Sequence, residues 1–291
     1  MSTRVSDFSI EVPAKWILTG EHTVLRGGES LAFVMPRFLL RLSYRNQGPI
    51  SFNPNPFQSQ IRSLLARARE YLGVREDVFS TGEISISSDI PIGAGLGSSA
   101  ALCVAIARLA IWRSGADLSR WIPLATHLED VFHGKSSGMD VNAIAIGKPI
   151  LFSMVEGARP LPGLHAMPRF EFYDSGIRGS TRDCIERVKH WQRNHAHLKD
   201  ALDEQMKEAT RVARVGLELF QGDPARGEAR LREAMELAQG CIETWGLVTP
   251  ELLGQKYDLL KQGALAVKLT GAGLGGFWIA LWPSSEGGLD R

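Results

Sequence analysis

Cysteine is scarce in this chain. Cys103, Cys184 and Cys241 are odd in number and far apart, so they form neither a disulfide framework nor a zinc signature, and each reads as a small apolar filler suited to a reducing compartment. Net charge is equally scarce. Lysine and arginine number 33 against 32 acidic residues, a balance of +1, which leaves no strong overall field to capture nucleic acid or anionic lipid. No run approaches the ~20 apolar residues of a membrane span. The opening MSTRVSDFSI is broken by Asp7, which argues against a signal peptide. The expectation is a soluble cytoplasmic protein without nucleic-acid or membrane partners. What is present in quantity is core material. Of 291 residues, 44% are hydrophobic and 22% charged, which excludes a disordered chain and suits one large domain or two ordinary ones.

Hydrophobic spacing sketches the elements. Phe8–Val12 alternates, and Leu31–Leu42 holds two short strand-like runs split near Pro36. Phe57, Ile61, Leu64, Leu65, Ala68 and Leu72 recur at helical spacing. Ile84 and Ile86 alternate with serines and lead into a glycine-rich turn, after which Ala100–Trp112 is almost wholly apolar and predicts a helix buried on most sides. Asp117 or Ser119 is placed to cap a further helix running to about Asp130, with Pro123 in its first turn. Ile150–Met154 and Phe170–Tyr173 read as strands. Helical sequence then extends from Thr181 to about Gln262, divided by the start signals Asp223-Pro224 and Thr249-Pro250. Leu265–Leu269 and Phe277–Trp282 close the chain as strands around a glycine turn. This order predicts an α+β fold, with a boundary between Gly147 and Pro168 that divides the chain into 1–155 and 156–291.

Four stretches carry chemistry. The first is PIGAGLGSSAA, from Pro91 to Ala101. Glycines at alternate positions let the backbone approach a ligand, and two hydroxyls stand where a helix begins, so successive N–H groups and the helix dipole make an anion site. The spacing is neither that of a Walker loop nor that of a dinucleotide fingerprint. The second stretch runs from Glu129 to Asp140. These two carboxylates either cap and solvate their turns or converge, one on a cation and one on a proton. In the third, Lys15, Glu21 and His22 surround a short apolar run; a lysine in a buried strand is either half of a structural ion pair or an active-site cation. The fourth is KLTGAGLGGF, from Lys268 to Phe277, which is a plain hairpin loop or a turn packed against another backbone or a ligand.

Together these stretches resemble the GHMP kinase superfamily, in order and spacing from Pro13 to Ala280. Within it, AKWILTGEHTVLRGG is most similar to the mevalonate kinases. The resemblance implies a two-domain GHMP kinase-like α+β fold, with an N-terminal domain carrying the phosphate loop, a helix-rich C-terminal domain and an active site in the cleft between them. It also implies ATP and Mg2+ as cofactors. Gly93, Ala94, Gly95, Leu96, Gly97, Ser98 and Ser99 would hold the nucleotide, and Ser99 and Glu129 the magnesium. Asp140 would be the catalytic base, Lys15 the cation beside it, and Thr181 a hydroxyl near the reacting phosphoryl group. Lys15, Glu21, His22 and Asp140 would line the substrate pocket. His22 is expected to offer an N–H to the substrate carboxylate, and Glu21 to orient a neighbouring cation or hydroxyl.

The family's His-Gly-x-Pro-Ser-Gly run here reads His133-Gly134-Lys135-Ser136-Ser137-Gly138. The stiffening proline is missing, and Lys135 adds a charge. Leu274 stands where a glycine is customary. The implied reaction is phosphorylation of mevalonate's primary alcohol to 5-phosphomevalonate, a step of isoprenoid and lipid metabolism. The alternatives are a GHMP-type kinase for phosphomevalonate or a sugar, a decarboxylase-type lyase, and a non-catalytic nucleotide-binding protein. A homodimer is compatible with the sequence.

Overall fold

A computed structural model describes residues 7–53, 57–134 and 136–284. In chain order the strands and α-helices are β1 (Phe8–Thr19), β2 (Glu29–Pro49), β3 (Ser51–Asn53), α1 (Gln58–Leu72), β4 (Thr81–Ser88), α2 (Ser98–Ser114), α3 (Trp121–His133), α4 (Met139–Ile146), β5 (Ile150–Ser153), β6 (Gly157–Pro160), β7 (Arg169–Asp174), α5 (Thr181–Asn194), α6 (Ala196–Phe220), α7 (Pro224–Thr244), α8 (Pro250–Lys261), β8 (Ala266–Leu269) and β9 (Phe277–Trp282). The architecture is α+β, as the sequence order predicts. The chain forms two compact units. One comprises Met1–Lys15, Val34–Pro91 and Gly97–Gly147; the other comprises Trp16–Phe33, Ile92–Leu96 and Lys148–Arg291. Lys135 lies outside the described residues.

In the first unit β3 runs parallel to β4, and β4 pairs antiparallel with β2 from Leu40↔Ser88 to Arg45↔Glu83. α2 is the core element. Ten of its residues, from Ala100 to Ile111, are buried, because a helix with apolar residues all round has no face to give to water. It packs against α1, α3 and α4. α1 turns Ile61, Leu64, Leu65, Ala68 and Leu72 inward as its spacing predicts, while Phe57 stays outside as its N-cap. The carboxylate of Asp117 accepts from the Ser119 amide at 2.7 Å, but it caps a short 3-10 turn, Leu118–Arg120, and α3 begins only at Trp121. α3 also runs four residues beyond Glu129, so that carboxylate projects from the helix rather than ending it.

In the second unit the first residues of β2 pair with β5 (Glu29↔Ser153 to Ala32↔Ile150), and β5 pairs with β6. A separate antiparallel sheet has the order β7-β9-β8. α6 and α7 lie along one another. Met206, Ala209, Ala238, Cys241, Ile242 and Trp245 join Leu269 and Trp278 in the core. The helical tract divides at Pro224 and Pro250 as predicted, and also at His195, where no proline or glycine signals the break.

One expectation about the strands needs correction. The run around Pro36 is one continuous strand and not two. Pro36 falls between the stretch paired with β5, which ends at Ala32, and the stretch paired with β4, which begins at Leu40. Neither of those two ladders calls on an N–H from Pro36; β2 also pairs with β1. The short strands β3 and β6 carry no alternation to announce them. The cysteines behave as fillers: all three are buried and free, and burial pushes the thiols of Cys184 and Cys241 up to about 12 and that of Cys103 upward as well.

Candidate active site

The first unit gathers one set of groups. From Val12 onward β1 is buried almost without interruption, and Lys15 lies within that stretch with 2% of its surface exposed. A cation so placed must meet an anion. It meets Asp140, Nζ to Oδ2 at 3.0 Å. Asp140 stands in the first turn of α4, behind the left-handed Gly138, where the helix dipole favours a negative charge. The stem of Lys15 passes Gly97, the left-handed residue that starts α2. A Cβ there would come within 2.8 Å of two lysine carbons, so only glycine admits both. Ser98 and Ser99 follow as the first residues of α2.

Glu129 joins this set from α3. It is 2% exposed, and its Oε2 accepts a 2.5 Å bond from the Ser136 hydroxyl. Burial pushes its carboxyl above the ordinary range and the nearby charge of Asp140 adds to the push, while the Ser136 bond and Lys15 oppose it. The sequence reading noted at Ser136 only a lost proline. The structure gives the serine positive functions: besides the bond to Glu129, its amide donates to Asp130 Oδ1 at 2.8 Å, which proline could not do.

The second unit holds the remaining motif residues. Gly95 takes φ 77° with its Cα against the turn after β8. A Cβ there would lie 2.4 Å from the Thr270 carbonyl, and one on Gly271 would lie 2.6 Å from the Cα of Gly95. Phe277 N donates to the Ala94 carbonyl at 3.3 Å. Of the two readings of the KLTGAGLGGF stretch, the turn packed against another backbone is the observed one, and that backbone is the glycine loop. Leu274, the departure from the customary glycine, adopts φ 58°; the substitution keeps a left-handed backbone at a cost of about 1–3 kcal/mol. Thr181 opens α5 on the exposed side. The cap is Ser180, whose hydroxyl accepts from the Asp183 amide.

Glu21 is buried and meets a cation that the sequence reading passed over. Lys268, fully buried in β8, donates to Glu21 Oε1 and to the Leu269 carbonyl. The signal was a lysine inside the apolar strand Ala-Val-Lys-Leu, which has no solvent to turn to. His22 is half-buried and holds a positive φ of 62° with ψ -35°. Its Nε2 lies 2.8 Å from the Ala272 carbonyl. A carbonyl only accepts, so Nε2 carries the hydrogen. Burial lowers the ring's pKa to about 4, which keeps it neutral and leaves Nδ1 a bare acceptor. The expectation that His22 offers an N–H to a substrate carboxylate is therefore corrected: that hydrogen is spent on Ala272, and Nδ1 suits a hydroxyl.

The profile described as the GHMP kinases N terminal domain matches residues 60–148. A mevalonate kinase from Aeropyrum pernix is 31% identical over 303 residues, covering 96% of this chain and 89% of the relative. One from Pyrococcus horikoshii is 29% identical, covering 94% and 88%. Among solved structures, the Leishmania major mevalonate kinase with R-mevalonate aligns at a TM-score of 0.75 and 22% identity over 98% of this chain and 91% of that one. The Streptococcus pneumoniae phosphomevalonate kinase aligns at 0.73 and 19% over 96% and 92%. At these identities the structures speak for the fold alone. The chain is thus an enzyme of the small-molecule kinase class, a phosphotransferase with an alcohol acceptor. It belongs to the GHMP kinases, a family whose phosphoryl donor is ATP. Among the described residues no helix is long and apolar enough to cross a membrane.

Proposed function

We propose that this enzyme phosphorylates the primary alcohol of mevalonate to give 5-phosphomevalonate, feeding isoprenoid precursor synthesis. The observation that carries the reading is the pair formed by the buried Lys15 and the half-buried Asp140 at 3.0 Å, behind a glycine–serine loop at a helix start. The substrate assignment rests on sequence, through the Gly20-Glu21-His22 motif and relatives named mevalonate kinases. Fold does not discriminate, since a phosphomevalonate kinase aligns nearly as well as the mevalonate kinases do.

In this reading Asp140 accepts the proton of the attacking hydroxyl. Lys15 supplies positive charge beside the oxygen on which negative charge develops. The amides from Gly93 to Ser99 receive the phosphates. Ser99 and Glu129 are hard oxygen donors of the kind that magnesium takes, and a buried carboxylate burdened by Asp140 is one that a cation would relieve. Bound there, the ion would neutralise charge on the β- and γ-phosphates. Thr181 would contribute its hydroxyl near the transferred group. Glu21, neutralised by Lys268, and His22, through Nδ1, would serve the substrate.

The test is ADP release with a panel of alcohols. Mevalonate should give the highest kcat/KM, with carbon dioxide absent from the products. A preference for phosphomevalonate or a sugar would overturn the substrate assignment and leave the kinase class intact.

A further inference from the structure

We infer that Arg26 and Asp203 are positioning residues for substrate binding, a clamp from α6 that holds the His22 turn in its strained positive-φ form. The inference rests on the reading of His22 as a substrate-binding residue. A non-glycine residue at φ 62° persists only where its surroundings over-determine it. Here they do so from three sides. The His22 carbonyl accepts from Arg26 Nη1 at 2.9 Å. Its ring nitrogen is tied to Ala272. The edge of the ring meets Trp245 at 5.4 Å between centroids.

Arg26 is itself held. Its Nε and Nη2 donate to the two oxygens of Asp203, each at 2.7 Å, and its guanidinium lies 5.9 Å from the centroid of the same Trp245 ring. Asp203 is 6% exposed on α6, the helix packed along α7. α6 also meets the residue before Glu21, where the Gly20 amide points at the Met206 sulfur at 3.4 Å. Three guanidinium nitrogens thus perform two tasks, two gripping the carboxylate and one fixing the backbone of the strained residue. A planar fork can do this and an ammonium cannot. The direction of the His22 ring, and with it the position of Nδ1, is set from a helix that carries no family motif.

The experiment compares Arg26→Lys, Asp203→Asn and the double variant in steady-state kinetics, together with side-chain ¹⁵N NMR of His22, its signals identified by their loss in His22→Gln. The expected result is a roughly tenfold higher KM for mevalonate with kcat and the KM for ATP little changed, since binding common to ground and transition states is lost. The double variant should be no worse than the worse single one, because the two residues act as one unit. The His22 spectrum should pass from one neutral tautomer, protonated at Nε2, to a mixture. A lower melting temperature with unaltered KM and unaltered tautomer would overturn the inference. If Asp203→Asn does not fold, Arg26→Gln carries the test, as that side chain is 24% exposed. If the wild-type enzyme prefers another alcohol, the proposed substrate falls and the same ratios are read on that alcohol. If it turns over none, the histidine spectra decide.

Discussion

At the scale of single residues, the groups assigned to the reaction divide by how they must be tested. Asp140 contacts the one buried cation of β1. Asp140→Asn keeps its shape but removes the proton acceptor, so kcat should fall by about 10²–10⁴ with the KM for ATP little changed; steady-state ADP release reads this directly. His22 predicts a pH effect on stability. Its folded pKa is about 4 against 6.5 for the free side chain, so between these values the unfolded chain binds a proton that the folded chain refuses. Stability should decline as pH falls from about 6.5 toward about 4 and then level off, by on the order of 3 kcal/mol in all at about 1.36 kcal/mol per unit. The difference in denaturation midpoints between wild type and His22→Gln across that range isolates the effect. A charge inside an apolar strand announces that Lys15 needs an anion, but for Glu129 and Asp140 the residues alone leave solvated caps and a converging pair both open, and their proposed roles come from the family resemblance. Lys268 stood in such surroundings too, but the glycines beside it drew the reading. Arg26 was not legible as the partner of Asp203, which lies 177 residues on, nor Ser136 as the partner of Glu129, which a loop must turn back to reach.

At the scale of elements, periodicity revealed what periodicity can reveal. α1, α2 and the closing strands were legible because one face, or every face, is apolar over several turns. β2 reads as two pieces because proline is a strong local signal, and the partners that carry the strand across it are a tertiary fact. The break at His195 had no local signal at all. The glycine loop makes the sharper prediction. Gly95→Ala would place a methyl group 2.4 Å from the Thr270 carbonyl at φ 77°. Backbone cannot yield as a flexible side chain can, so the loop must shift. The KM for ATP should rise at least tenfold while the global melting temperature drops only a few degrees, a contrast that nucleotide titration and thermal unfolding together would reveal.

For the molecule as a whole, the division into units was the least legible feature. The chain passes between them at residues 15–16, 33–34, 91–92, 96–97 and 147–148, and composition cannot record which distant segments pack together. Trp16 shows the effect. Its ring packs edge-on against Phe170 and Phe172, at 5.3 and 5.1 Å, inside the second unit. A fragment of residues 1–155 would keep Trp16 stacked on Phe33 but lose Phe170 and Phe172, along with α6, whose Met206 and Thr210 meet Gly20 and Glu29. It should therefore be largely unfolded alone, with red-shifted tryptophan fluorescence and rapid hydrogen exchange in β1. Native-like protection there would contradict the interleaved arrangement.

The buried cysteines have a practical corollary. Alkylating reagents attack thiolates, and in the folded enzyme Cys103, Cys184 and Cys241 are buried and held in the thiol form. The native chain should therefore react little with maleimide at neutral pH, which labelling followed by mass measurement would check. A single cysteine introduced at Val155, 89% exposed, would be the one position to take a fluorophore, with no need to strip the three natural ones first. The protein arrives ready for site-specific labelling.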